Sequence, residues 1–113
     1  MKVTQAAVLS SPLLLQAQHI GAALARLRTA RGVKQADAAL RAGLSRNTAY
    51  RLEHGDPGLA MGQVLRYLDA IAPGSTLLQL LQASDPSLLA LAQKEQTQRV
   101  RSLSVADIDA LNF

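Results

Sequence analysis

Residues 35–53, QADAALRAGLSRNTAYRLE, constrain the fold of this 113-residue chain more than any other stretch. Two short helical segments are separated by a tight turn around Gly43, and Ser45 is a typical N-cap for the second segment. The residues that we predict to form the buried faces are Ala36, Ala39 and Leu40 in the first helix and Ala49 and Leu52 in the second. The chain is therefore expected to fold around a pair of short helices joined by this turn.

The outward positions of the second helix carry side chains that can reach the base edges and phosphates of DNA. These positions are Arg46, Asn47, Tyr50 and Arg51. Together with the tight turn, they predict a helix-turn-helix, a motif whose second helix lies in the major groove. The alternative interpretation of the same residues is an ordinary solvated helix face.

The composition predicts an all-α fold. Nearly half of the residues (49%) are apolar but only three are aromatic, so the core must consist mainly of Leu, Ala, Val and Ile. No stretch shows the sustained alternation that is typical of strands. The absence of cysteine excludes disulfides and thiol chemistry and fits a reducing compartment. No apolar run is long enough to span a membrane, and a cytoplasmic protein is expected.

Start and stop signals divide the chain into a helical domain and an extension. The predicted helices cover residues 13–31, 34–42, 45–54, 60–71, a segment capped by Ser75 or Thr76 and ending at Leu81, residues 86–101, and a last turn opened by Ser104. Their predicted core residues include Ile20, Leu24, Leu27, Val64, Leu65, Leu68 and Ile71. We expect a flexible N-terminus at 1–11, a helix-turn-helix domain at 12–82 and a helical extension at 83–113.

The distribution of charge favours a polyanionic partner. The net charge is only +4, but residues 19–54 carry seven basic side chains against two acidic ones. Neutralising phosphates with such a basic segment releases counterions, which drives binding to nucleic acid. Scattered arginines alone would be read as a solvated surface; their concentration around the helix-turn-helix pattern favours DNA.

The run LARLRTARGVKQADAALRAGLSRNTAYRLEHG resembles the Xre/Cro-type (lambda-repressor-like) helix-turn-helix of phage repressors and bacterial regulators. The matching residues, in the family's spacing, are Arg28, Gly32, Gln35, Ala39, Gly43, Ser45, Arg46, Leu52, Glu53 and Gly55. The resemblance covers residues 20–81 and implies a five-helix domain. The segments that follow are similar, more loosely, to HipB-like antitoxins, which bind kinase-like toxins.

The resemblance also implies roles for individual residues. Gln35, at the start of the second helix, would bind a DNA phosphate, and Lys34 beside it would reach a phosphate as a cation. The residues at positions that contact bases or neighbouring phosphates are Ser45, Arg46, Asn47, Thr48 and Arg51. Tyr50 departs from the family pattern and would either touch the sugar-phosphate backbone or be partly buried. Arg28 and Glu53 would form a partly buried ion pair between the first and third helices.

The function implied is that of a sequence-specific transcriptional regulator, a repressor that binds a palindromic operator as a homodimer. It would be a bacterial protein, associated with the nucleoid when bound to DNA. The alternatives are an antitoxin, whose toxin partner would bind through residues 83–113, and a module that binds an acidic protein through its basic helix. The surplus of leucines at 77, 78, 80 and 81 suggests a dimer seam.

An enzyme is the weakest class. No nucleophile–base grouping, paired carboxylates or glycine-rich phosphate loop occurs at a plausible spacing. His19 and His54 lack nearby ligand-type residues, so neither a metal site nor another cofactor is expected. RNA binding by base stacking would need more aromatic residues than the chain has.

Overall fold

The computed structural model describes the backbone of residues 3–111 and the side chains of residues 3–100. Within that part of the chain every regular element is an α-helix, which confirms the predicted fold class. The seven helices are α1 (Gln5–Val8), α2 (Ser11–Ala30), α3 (Gln35–Ala42), α4 (Arg46–Glu53), α5 (Met61–Ile71), α6 (Leu77–Gln82) and α7 (Pro86–Leu111). None of these helices combines the length and the apolar character that crossing a membrane requires.

Helix α2 is the central element, because α4, α5, α6 and α7 all pack against it, while α3 packs on α4 and α5. The helix runs unbroken through Gly21, although a glycine inside a helix can allow a bend. Gly21 is instead a contact point between helices: a Cβ atom at Gly21 would lie 2.5 Å from the amide nitrogen of Gly55 and 2.6 Å from the carbonyl oxygen of Leu52. The backbone of α2 therefore touches the end of α4 directly.

The buried face of α3 differs from the prediction. Ala38, Ala39 and Ala42 are buried, whereas Ala36 is exposed and 79% of Leu40 is accessible to solvent. The predicted burial of Ala36 and Leu40 is thus wrong. The segment is so rich in alanine that a helix rotated by about one residue presents an equally small apolar face, and only packing against α4 and α5 decides between the two.

The core-facing side of α5 also needs a correction. Leu68 and Ile71 are buried and Val64 packs against the core, as predicted, but Leu65 is 46% exposed. Tyr67, which the sequence did not single out, is completely buried in its place. Since positions 64, 67, 68 and 71 follow the helical period, the centre of the buried face lies between Tyr67 and Leu68.

The C-terminal part of the chain forms one long helix. Thr76 caps α6, because its Oγ1 accepts from the amide of Gln79 at 3.1 Å while Gln79 Oε1 accepts from the amide of Thr76 at 2.9 Å. The separate last helix predicted to open at Ser104 is wrong: α7 continues without a break to Leu111. The sequence has no Gly or Pro after Pro86 to stop it.

At the N-terminus, α1 forms in the segment predicted to be flexible, and all its side chains are exposed.

Candidate nucleic-acid interface

The turn between α3 and α4 fixes where α4 begins. Gly43 ends α3 in the left-handed conformation (φ +69°), which glycine adopts without strain. Ser45 then caps α4: its Oγ accepts from the amide of Thr48 at 3.0 Å and donates to Thr48 Oγ1 at 2.9 Å. Ser45 and Thr48 are both predicted DNA contacts, and their hydroxyls are hydrogen-bonded to each other at the start of the helix.

Helix α4 is strongly two-sided. Ala49, Leu52 and Glu53 are buried on one side, whereas Arg46 and Asn47 are exposed in the first turn on the other. The helix is only eight residues long, so its stability comes mainly from the buried side rather than from its intrinsic propensity. Packing of the buried side therefore holds α4 in place, while Arg46 and Asn47 remain accessible on the opposite side.

Tyr50 contacts the residue that follows α4, the C-cap His54. Its ring stacks on His54, with the centroids 3.9 Å apart and the planes 24° from parallel. His54 Nδ1 in turn lies 2.8 Å from the carbonyl oxygen of Tyr50. The tyrosine remains 53% exposed, so the structure places it on the outer side of α4 and not in the core.

Arg51 is held in place by an acidic residue that the sequence prediction did not connect with it. Its Nε donates to Asp56 Oδ2 at 2.7 Å, and Asp56 Oδ1 accepts from the amide of Gly58 at 2.8 Å. The amide of Gly58 and then the Arg51 guanidinium lower the pKa of the Asp56 carboxyl. The carboxylate thus stays charged, orients Arg51 and offsets part of its positive charge.

Lys34 and Gln35 stand at the start of α3. Lys34 is the N-cap residue and is exposed, but its side chain makes no capping hydrogen bond. Gln35 is the first helical residue and is half-buried. The first amides of α3 are not capped by Lys34, which leaves the positive end of the helix dipole available to an anion.

A buried polar cluster anchors α4 to the rest of the domain. Arg28 on α2 makes two hydrogen bonds to Glu53, Nε to Oε2 at 2.6 Å and Nη2 to Oε1 at 3.0 Å. A third bond, from Nη1 to the carbonyl oxygen of Val33 at 2.9 Å, ties the same arginine to the loop before α3. The bonds to Glu53 raise the pKa of Arg28.

Tyr67 completes this cluster, and sequence reasoning missed it. Its hydroxyl donates to Glu53 Oε2 from α5, so Glu53 receives bonds from two helices. Burial, followed by the hydrogen bond to Glu53, raises the pKa of Tyr67 well above its ordinary range. The helical spacing from Val64 was the signal that would have found it. The last residue of α4 is therefore fixed to α2 and α5 at once.

Among the described residues, no group of three or more His, Cys, Asp or Glu side chains lies close enough together to hold a metal ion. The site consists instead of three features. These are the exposed polar face of α4, the start of α3 that Lys34 does not cap, and the buried cluster of Arg28, Glu53 and Tyr67. Those features suit recognition of a polyanion by surface contact.

Comparison with known proteins bears on this interpretation. No curated protein and no solved structure matches the chain. The family model described as "Helix-turn-helix domain" does match, over residues 19–81, which is more than half of the chain and includes every candidate contact residue. The chain belongs to the family of helix-turn-helix domains.

Proposed function

We propose that the protein is a sequence-specific regulator of transcription that binds double-stranded DNA through α4. The observation that carries the proposal is the exposure of Arg46 and Asn47 in the first turn of a helix whose other side is buried. In the major groove, arginine pairs bidentately with guanine and asparagine with adenine, each pairing worth about 1–3 kcal/mol of discrimination. Arg46 and Asn47 are therefore the residues assigned to reading sequence.

The remaining candidate residues are assigned to the sugar-phosphate backbone. Gln35 and Lys34 would contact one phosphate at the start of α3, where the helix dipole favours an anion. The Thr48 and Ser45 hydroxyls and the half-exposed Tyr50 ring would contact the strand next to α4. Arg51, oriented by Asp56, would reach either a base at the groove edge or a neighbouring phosphate. Contacts of this kind position the domain without reading sequence.

The proposal includes a homodimer that represses. Two copies of α4 about 34–36 Å apart would enter successive major grooves, so the operator would be palindromic. Repression would follow from occupying the promoter in place of the polymerase.

The test is selection of binding sites from random duplexes with the full chain, followed by gel-shift titration of variants. Arg46→Ala and Asn47→Ala should each weaken binding to the selected site by about 5- to 150-fold while changing binding to scrambled duplex little. Gln35→Ala should weaken both by a similar factor, because a phosphate contact is blind to sequence.

Lys94→Ala is the matched control for Arg46→Ala, since it also removes one exposed positive charge but from α7. It should leave the preference for the selected site unchanged. Equal binding of selected and scrambled duplexes by the wild-type chain, or an unchanged preference in both α4 variants, would contradict the proposal.

The second candidate is an antitoxin that binds DNA through the same domain and a toxin through the C-terminal extension. The observation that favours it is the exposure of residues 92–100 of α7, which offers a protein partner one side of a helix. Co-expression with the protein encoded next to this gene distinguishes the two: a stable complex that neutralises a toxic neighbour supports the antitoxin, and a neighbour that is neither toxic nor bound excludes it.

A further inference from the structure

Arg51 on α4 has a partner on one side of its guanidinium and none at its tip. Its Nε atom donates to Asp56 Oδ2 at 2.7 Å, and within the part of the chain that the structure describes neither Nη atom has an acceptor. The side chain is 43% exposed. Arg28 on α2, in contrast, uses Nε and both Nη atoms in bonds to neighbouring residues. Arg51 therefore keeps two donors at its tip, in the fork geometry that suits a pair of coplanar acceptors.

The loop after α4 fixes the carboxylate of Asp56. Its Oδ1 atom accepts from the amide of Gly58 at 2.8 Å, and the backbone amide of Asp56 donates to the carbonyl oxygen of Arg51 at 3.0 Å. Pro57 also restricts the backbone of the residue before it. Since both carboxylate oxygens and the backbone are bonded, Asp56 holds the guanidinium in one orientation.

Gly55 places the same loop directly on α2. Its φ of +74° lies in the left-handed region, and a Cβ atom there would overlap the backbone of Ala17 and Gln18. The position of the loop is thus set by a helix on the inner side of the domain. Ordering a long arginine side chain costs conformational entropy on binding, and a partner that already orders it in the free protein reduces that cost.

Arg51 lies on the side of α4 that carries Asn47. The two residues are four positions apart, so their side chains are neighbours on one helix face. Asn47 is exposed and is assigned to a base in the proposed function. Arg51 therefore extends the same face by one helical turn.

Two contacts are open to Arg51 in the proposed function, a base or a phosphate, and the charge of Asp56 separates them. A carboxylate on one side of the guanidinium repels a phosphate that binds its tip, and the ion pair has no net charge that would attract one. Guanine instead presents two uncharged acceptors, O6 and N7, to the two donors of an arginine. The pair of Arg51 and Asp56 thus suits guanine better than phosphate.

We infer that Arg51 reads a guanine through its two Nη atoms, and that Asp56 is the positioning residue on which the selectivity of this contact depends. The inference rests on the proposed function, because it requires α4 to lie in the major groove. It adds a third reading position to those of Arg46 and Asn47. Asp56 itself contacts no base and acts only through Arg51.

Asp56→Asn is the decisive variant, because the single oxygen of an asparagine side chain cannot serve both the amide of Gly58 and Nε of Arg51. Sites are selected from random duplexes with the full chain and with Arg51→Ala, and the position where the preference for guanine disappears in Arg51→Ala is the one read by Arg51. Asp56→Asn should lower the preference for guanine there at least about fivefold, the lower end of the range for a bidentate pair. The preferences due to Arg46 and Asn47 should not change.

Asp37→Asn is the matched control, since it removes the same charge from an exposed position on α3. Loss of a negative charge should strengthen binding to every duplex in both variants, so only the preference for guanine separates them. In the Arg51→Ala background, Asp56→Asn should change no base preference further, as a double-mutant cycle measures. Circular dichroism checks that each variant is folded.

A modified duplex tests the contact itself. Replacing the selected guanine by 7-deazaguanine removes the N7 acceptor and leaves base pairing intact. The wild-type chain should bind this duplex about fivefold more weakly than the unmodified one. Asp56→Asn should show a smaller loss, and Arg51→Ala should show none.

Three results would overturn the inference. These are an Arg51→Ala variant that weakens binding to all duplexes equally, an Asp56→Asn variant that keeps the preference for guanine, and an effect of Asp56→Asn on base preference that persists in the Arg51→Ala background. In each case the preferences due to Arg46 and Asn47 would remain, so the proposed function would stand. A wild-type chain that prefers no duplex would overturn both.

Discussion

Two arginines of α2 each form an ion pair with a glutamate of another helix. The N–O distances of the two pairs are nearly equal, but their exposure to solvent differs greatly. Arg28–Glu53 joins α2 to α4 at 2.6 Å, and Arg26–Glu95 joins α2 to α7 at 2.7 Å. The side chains of the first pair are 18% and 5% exposed, those of the second 48% and 46%. Burial makes the first pair part of the scaffold behind α4, while water screens the second. The helix-turn-helix is thus joined to α2 by a buried ion pair on its inner side, whereas the ion pair that joins α7 to α2 lies on the surface of the domain.

Removing the arginine of each pair tests most directly whether burial makes the two pairs differ in their contribution to stability. Arg28→Ala leaves Glu53 buried with Tyr67 as its remaining partner, and should lower the free energy of unfolding by about 3–5 kcal/mol. Arg26→Ala removes an exposed pair and should leave the unfolding midpoint of the domain unchanged. Urea denaturation followed by circular dichroism measures both. Equal losses in the two variants would mean that burial does not separate the pairs.

A second comparison concerns two glycines on different helices. At Gly21, a methyl group would meet the backbone of α4 and of the following turn at 2.5–2.6 Å, and neither can move without shifting α4. Gly21→Ala should therefore cost about 1–3 kcal/mol of stability, as overpacking does.

Gly62 on α5 is the control, because a Cβ atom there has no neighbour within 4 Å and its φ is not positive. Gly62→Ala should leave stability unchanged or raise it by up to about 1 kcal/mol, the usual helix preference for alanine. Thermal denaturation of the two variants settles the point; a stable Gly21→Ala variant would show that α2 and α4 can separate without cost.

The sequence was sufficient for those parts of the fold that are marked by residues with narrow conformational roles. Gly43, Ser45, Thr76 and Pro86 locate helix ends, and the structure has helix boundaries at or next to each of them. The direction in which a helix faces was harder to predict. An alanine-rich helix such as α3 has no large side chain that must be buried, so the sequence left its rotation open, and Leu40 was misplaced.

In the candidate site, too, the sequence predicts features that are set within one helix better than contacts between separate elements. The exposure of Arg46 and Asn47 follows from the period of α4 alone. The ion pair of Arg51 with Asp56 depends on how the chain turns after Gly55, and the bond from Tyr67 to Glu53 depends on where α5 packs. Neither contact is encoded within one helix: the period of α5 can indicate that Tyr67 is buried, but not that its partner is Glu53.

The smallest effect expected concerns the attachment of α7. The Arg31 guanidinium, followed by the Ser87 hydroxyl, lowers the pKa of Asp85 from the ordinary 3.8 to about 2. A carboxyl group whose pKa is lowered by folding stabilises the folded form fully above its unfolded pKa. The contribution of Asp85 should thus be complete above about pH 4 and should be lost as the pH falls towards 2. Amide NMR spectra of α7 recorded across that range should show the residues after Asp85 responding.

Asp85→Asn should remove this response, since an amide does not titrate there. Asp37→Asn, which removes an exposed carboxylate from α3, should leave it intact. If the α7 signals of the Asp85→Asn variant still shift between pH 4 and pH 2 as in the wild type, another group governs the acid response. In that case Asp85 would hold α7 only as a helix cap, through its bond to the amide of Ser87 at 3.0 Å, and the contrast between the buried and the surface attachment would rest on Arg26–Glu95 alone.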